Sequence, residues 1–224
     1  MRVTALVVFL AGPSLVAASV PVSAASPVAL VEEVRGNLPG VEFMDYLDAG
    51  KVIQLGPQDT IVLSYLKSCM HETITGGAVT IGTEQSEVNS GMVVRDPVAC
   101  DTGKMLLAGQ VAKQSAGVAF RSRPSPKPQF TVYGLPPIMQ LQAPGRLVID
   151  RIDQAGEHFA VDVDREHLLH GAFYDFGQSG RALVPGGTYR VAFGQQQVVF
   201  RIDPQSEPRG APIVGRLVRF EAPN

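Results

Sequence analysis

Residues 188–203, TYRVAFGQQQVVFRID, decide the fold class. Tyr189, Val191 and Phe193 fall on one face of an extended chain, and Thr188, Arg190 and Ala192 on the other. After Gly194 to Gln197 the alternation resumes, with Val198, Phe200 and Ile202 against Val199, Arg201 and Asp203. A period of two buries one face and leaves the other in water, so the stretch reads as a β-hairpin. Upstream, Phe159, Val161 and Val163 share a face while Asp162 and Asp164 share the opposite one. Pro185-Gly186-Gly187 supplies a turn that feeds the hairpin. With 147–152, 172–175 and 213–220, about seven short strands are expected within residues 145–224. A β-sandwich of immunoglobulin type is the natural way to pack them. The Trp and Cys markers of antibody domains are missing: the chain has no Trp, and both cysteines lie upstream.

The first half reads as β-rich too. Apolar runs at 28–34, 52–55 and 60–66 are punctuated by Gly56, Pro57 and Asp59. Residues 72–75 and 78–81 flank Gly76-Gly77, a two-residue hairpin signal because glycine accepts the positive φ of a tight turn. Residues 92–94 and 105–111 are further strand candidates, and 60–70 is long enough for a helix. The expectation is therefore an all-β protein of two small β modules. Forty Gly and Pro residues suit such a turn-rich chain.

Charge marks the boundary. Residues 25–120 carry a net −5, residues 121–144 a net +3 from Arg121, Arg123 and Lys127, and residues 145–224 a net −1. Pro124, Pro126 and Pro128 alternate in the middle segment, so 121–144 reads as a stiff basic linker between modules at 25–120 and 145–224. At the start, Arg2 precedes an apolar run broken by Gly12, Pro13 and Pro21 and closed by the small residues Ser23 to Ser26. These are the parts of a cleaved secretion signal over residues 1–24, with cleavage after Ala24. The competing reading is a retained anchor, but no uninterrupted apolar stretch reaches roughly 18 residues. A periplasmic or secreted location is expected, with no transmembrane segment after cleavage. In such a compartment Cys69 and Cys100 are expected to pair.

One part of the first module resembles a family. The runs ALVEEVRGNLPG and YLDAGKVIQLGPQDTIVLSYLKSCMHETITGGAVTIG are similar to the periplasmic FecR-type β-domain over residues 28–95. Val34 and Gly36, Leu47 and Gly50, Ile53 to Gly56 and Ile61 to Leu63 follow its order of strand, turn and strand; SCMHE stands where the family has a DGS-type turn. The resemblance implies an envelope β-module that binds another protein or a wall polymer, and it carries over no catalytic residues. Regulators of that family relay a signal through a cytoplasmic segment and a membrane helix. This chain shows neither, so the same role is not expected.

Candidate chemistry is sparse. Asp162, Asp164 and Glu166 alternate like a calcium loop, but the sixth and twelfth places hold His167 and Phe173 instead of Gly and Glu. His158, His167 and His170 could gather a transition metal, and Cys69, His71 and Cys100 a second one, without the paired spacing typical of zinc. Gly177-Gln178-Ser179-Gly180 is a loop rather than a nucleophile elbow. Thr102-Gly103-Lys104 lacks the rest of a phosphate loop. Cys69 with His71 could mimic a thiol–imidazole pair, but pairing with Cys100 would consume the thiol. Glu32 and Glu33, adjacent on a strand, face opposite sides. A formal net charge of −2 disfavours nucleic acid. No catalytic residue, cofactor or metal is therefore assigned. The expected function is non-enzymatic binding of an envelope protein or cell-wall polymer. The alternatives are a metal or enzymatic site of unfamiliar form and a structural component of the cell surface.

Overall fold

The computed structural model describes residues 26–101, 127–141, 143–208 and 211–220. The signal segment and the readings at 102–104 and 105–111 lie outside them. The described protein is all-β, with one short helix.

The first module is a six-stranded antiparallel sheet. Its strands are β1 (Ala29–Arg35), β2 (Tyr46–Leu47), β3 (Val52–Tyr65), β4 (Met70–Ile81), β5 (Ser86–Asn89) and β6 (Met92–Pro97). The order is β2-β1-β3-β4-β5, and β6 also lies along β4. Residues 60–65 are the second half of a strand, not a helix. Ile61, Leu63 and Tyr65 alternate inward and are fully buried, as the β-branched content of the run favours.

Gly76-Gly77 is not a hairpin turn. β4 runs straight through it, and the presumed turn at 56–59 likewise sits inside β3. The two irregularities face each other: Leu55 pairs with Gly77 and Thr60 with Thr75, so four residues of β3 oppose one of β4. Ser90-Gly91, between β5 and β6, lies against the same spot. A Cβ on Gly77 would stand 2.3 Å from Asn89 O, and one on Gly91 2.1 Å from Gly76 O. Both glycines do take a positive φ, 69° and 82°. It bends a sheet rather than reversing a chain, because the break recurs on neighbouring strands. Ile53, Leu55, Val79 and Ile81 from one side of this corner thereby join Ile61, Leu63 and Ile74 from the other in one core.

The second module has two sheets. β7 (Phe130–Val132), β9 (Gly145–Arg151), β10 (His158–Val163), β12 (Thr188–Phe193) and β13 (Gln196–Ile202) form one, in the order β10-β9-β12-β13-β7. β8 (Ile138–Gln140), β11 (Phe173–Asp175) and β14 (Leu217–Arg219) form the other, in the order β11-β8-β14. β7 is parallel to β13 and β14 is parallel to β8. Side chains of both sheets, such as Leu147, Tyr189 and Phe200 from one and Met139, Tyr174 and Val218 from the other, meet in one cluster. β12 and β13 form the expected hairpin around Gly194, with Phe193 opposite Gln196.

Residues 127–141 are not a spacer. β7 and β8 fall within the segment assigned to the linker and belong to the second module. The alternating prolines stop at Pro128; Val132 and Met139 then enter the module's core, Phe130 packs partly buried against it, and Ile138 is buried in the cluster between the modules. Similarly, 213–220 opens with the helix α1 (Ile213–Arg216) before β14.

The modules pack against each other through a third cluster. Leu30, Met44 and Leu66 from the first meet Ile138, Phe173, Ile213, Val214 and Leu217 from the second, and all are buried. Polar contacts ring it: Tyr46 Oη donates to Gln140 Oε1 (2.8 Å), and Thr131 N donates to Asp101 Oδ2 (2.9 Å).

Candidate functional site

Cys69 and Cys100 form a disulfide with Cα atoms 5.7 Å apart. The bridge ties the chain leaving β6 to the turn before β4 and holds Cys100 against the inter-module cluster. No thiol–imidazole pair exists. The sulfur is in the bridge, and the His71 ring faces Glu32 at 3.6 Å.

The three other histidines do not converge. His158 contacts Asp150 (2.6 Å) on the neighbouring strand. His170 reaches across the module boundary to Asp45 (3.0 Å) and Glu42 (3.6 Å). His167 closes a short 3-10 turn, Arg165–His167, and is exposed. Asp162 is exposed opposite Arg146, and Asp164 precedes that turn. Among the described residues no group of three or more His, Cys, Asp or Glu side chains is placed to hold a metal. Ser179 sits in a 3-10 turn, its hydroxyl donating to Phe176 O (2.7 Å).

Sequence reasoning missed Glu32. A bulge between Val31 and Glu33 turns Glu32 into the module boundary and leaves Glu33 outside, paired with Arg35. There Glu32 accepts from the Val214 amide (3.1 Å), in the first turn of α1. Burial pushes its carboxyl up. Hydrogen bonds from His71 and the amides of Ile213 and Val214 outweigh that and hold it below the ordinary carboxylate range. The same bond to Glu32 raises the His71 pKa against the opposing effect of burial, with the Glu32 and Asp96 charges adding to the rise. Ser64 Oγ points at this carboxylate without normal hydrogen-bond geometry. Serine, histidine and glutamate are nucleophile chemistry by type, but Ser64 is 0% exposed and no substrate reaches it. Of the three, Glu32 is the one that reaches the second module, through the Val214 amide. The Glu72–Arg95 pair is likewise internal. Glu72 Oε1 accepts from Arg95 Nε (2.6 Å), and both carboxylate oxygens accept from Ser86 N (3.1 Å each).

The outer edge of the first module's sheet is a further candidate. β6 pairs with β4 on one side and with no other strand among the described residues. Val98 N donates to Cys69 O (2.9 Å). In an antiparallel ladder such bonded pairs recur at every second residue. Asp96, Val94 and Met92 therefore direct their backbone groups to β4, and Val93 and Arg95 direct theirs to the open side. Val93 packs on the core. Met92 and Val94, on the opposite face, are 73% and 61% exposed, more than the other large apolar side chains on the surface of the described residues. Pro97 then ends the edge, since it has no N–H to offer.

Compared with known protein families, characterised proteins and solved structures, the chain matches none. Among the described residues no helix is long and apolar enough to cross a membrane.

Proposed function

We propose that the chain is an exported, non-enzymatic β-protein of the cell envelope that binds a protein partner by adding one of the partner's strands to β6. The carrying observation is the edge at Met92 to Arg95, which no other strand covers among the described residues, flanked by two exposed apolar side chains. Unpaired backbone groups give such an edge affinity for any extended peptide, and alternate side chains beside it give selectivity. A peptide satisfies the Val93 and Arg95 backbone groups in a way a wall polymer does not, so a protein is the favoured partner. The signal-like residues 1–24, the disulfide and the FecR-type resemblance of residues 28–95 support an envelope location.

The test is site-specific photocrosslinking in cells producing the full chain, with the probe at Val94 and a control probe at Val184, which is also exposed. Intact mass establishes whether the mature chain begins at Ala25. The expected result is a discrete protein adduct at Val94, none at Val184, and loss of the adduct in Met92→Lys, because an edge lysine opposes strand addition. A mature chain in the envelope with no Val94 adduct refutes strand capture. An uncleaved N-terminus refutes the exported form.

A further inference from the structure

A second surface lies on the other module, on the solvent face of its five-stranded sheet. Residues 127–129 run beside β13, and Lys127, Gln129, Arg190, Gln197 and Val199 line a groove of about 270 Å³. Gln129 fixes this wall: its amide donates to Val199 O (2.7 Å), and its side-chain Oε1 accepts from Val199 N (2.9 Å). With that oxygen engaged, the end of Gln129 left to interact is its NH2. Arg190 projects from β12, the central strand of the sheet. Its Nε–H is shut off from water and has no acceptor among the described residues. A buried donor without an acceptor is costly, and few are tolerated in native proteins without a reason. The register puts Asp150 beside Arg190, but Asp150 is engaged by His158, and no carboxylate lies within 4.0 Å of Arg190 or Lys127 among the described residues. Among the described residues the groove thus has two cations, two carboxamides, an apolar floor at Val199 and no acidic group.

We propose that this groove binds one anionic group, a phosphate or a carboxylate carried on a larger envelope molecule. Arg190 is the anchor through its outer guanidinium nitrogens, since its Nε is closed to solvent, Lys127 is the second cation, and the two glutamines are lateral donors. The volume suits a single such group rather than a whole ligand. A guanidinium offers a forked set of donors to a planar or tetrahedral oxyanion, and lysine adds a point charge. The reading is independent of strand capture at β6 and stands if that fails.

The probes are inorganic phosphate and acetate, titrated separately into 15N-labelled full-length protein at constant ionic strength, with chloride as the control. The readout is the Arg190 Nε–Hε resonance together with the side-chain amides of Gln129 and Gln197. The expected result is saturable movement of these resonances with at least one probe and none with chloride. A response to phosphate alone assigns a phosphate-bearing ligand, and a response to acetate alone a carboxylate-bearing one. Arg190→Gln should weaken binding by roughly tenfold, the ratio expected for one charge-assisted hydrogen bond. Lys127→Gln, at an exposed position that cannot disturb the core, should weaken it by a few-fold, and both effects should shrink in about 1 M salt, where the screening length falls to ~3 Å. Absence of a saturable shift with either probe overturns the proposal. So does an affinity unchanged in both variants.

Discussion

Replacing both bridged cysteines, Cys69→Ala with Cys100→Ala, measures what the disulfide contributes. The half-cystines are 31 residues apart. Closing such a loop in the unfolded chain removes ~12 cal/mol/K of entropy, which is about 3.7 kcal/mol at 25 °C. A chain of this size loses roughly 2–4 °C of melting temperature per kcal/mol, so the double variant should melt about 7–15 °C below the oxidised protein. Changing both residues matters, because a lone thiol would be left against the inter-module cluster. The assay is calorimetry of the oxidised wild type, the reduced wild type and the double variant, with urea unfolding alongside. The double variant should match the reduced wild type. A melting temperature within about 2 °C of the oxidised protein would refute the chain-entropy reasoning. It would mean that the bond from Val98 N to Cys69 O and the Asp101 contact hold residues 98–101 without help.

Glu32 and His71 predict a stability maximum in mild acid. The stabilisation from His71 is complete below its ordinary pKa of 6.5 and is lost as pH rises through the raised value, so His71→Gln should flatten the alkaline limb of a melting-temperature profile. The contribution of Glu32 is complete above 4.5 and is lost as pH falls through the lowered value, so Glu32→Gln should flatten the acid limb. Glu72→Ala leaves Arg95 Nε and the Ser86 amide without their acceptor, while Arg95 Nη2 keeps the Ser86 carbonyl (2.7 Å). Its cost should be roughly 2–3 kcal/mol in urea unfolding, below the range for fully buried pairs because about a third of the Arg95 side chain is in water. The two corner glycines should separate cleanly. Gly76→Ala meets nothing closer than 3.5 Å and should cost only the left-handed penalty of about 1–2 kcal/mol, whereas Gly77→Ala drives its Cβ into Asn89 O and should cost distinctly more.

The second module was legible because its central strands bury one face and wet the other. Tyr189, Val191, Val198, Phe200 and Ile202 are buried where the alternation puts them. The first module misleads at 56–59 and 76–77. Local turn chemistry is identical whether a chain reverses or a paired sheet bends, and only the register between β3 and β4 distinguishes the two. Residues 121–144 mislead differently, since three prolines obscure the apolar residues that follow. Glu32 could not be found from its neighbours. Its role depends on a bulge and on an amide 182 residues later in the chain. β6 is legible as a strand, but that no other strand among the described residues covers its outer side is a property of the finished sheet.

That distant amide has a consequence for the order in which the protein matures. A chain emerging from its N-terminus displays Leu30, Met44 and Leu66 long before Ile213, Val214 and Leu217 exist to cover them. Until residues 213–217 arrive, the first module is a sheet with a bare apolar flank, and Glu32 has His71 beside it but lacks the Ile213 and Val214 amides. The segment carrying Ile213, Val214 and Leu217 therefore completes the burial of that flank. Forms cut short before it should be adhesive and quickly cleared, even though every strand of the first module is already present in them.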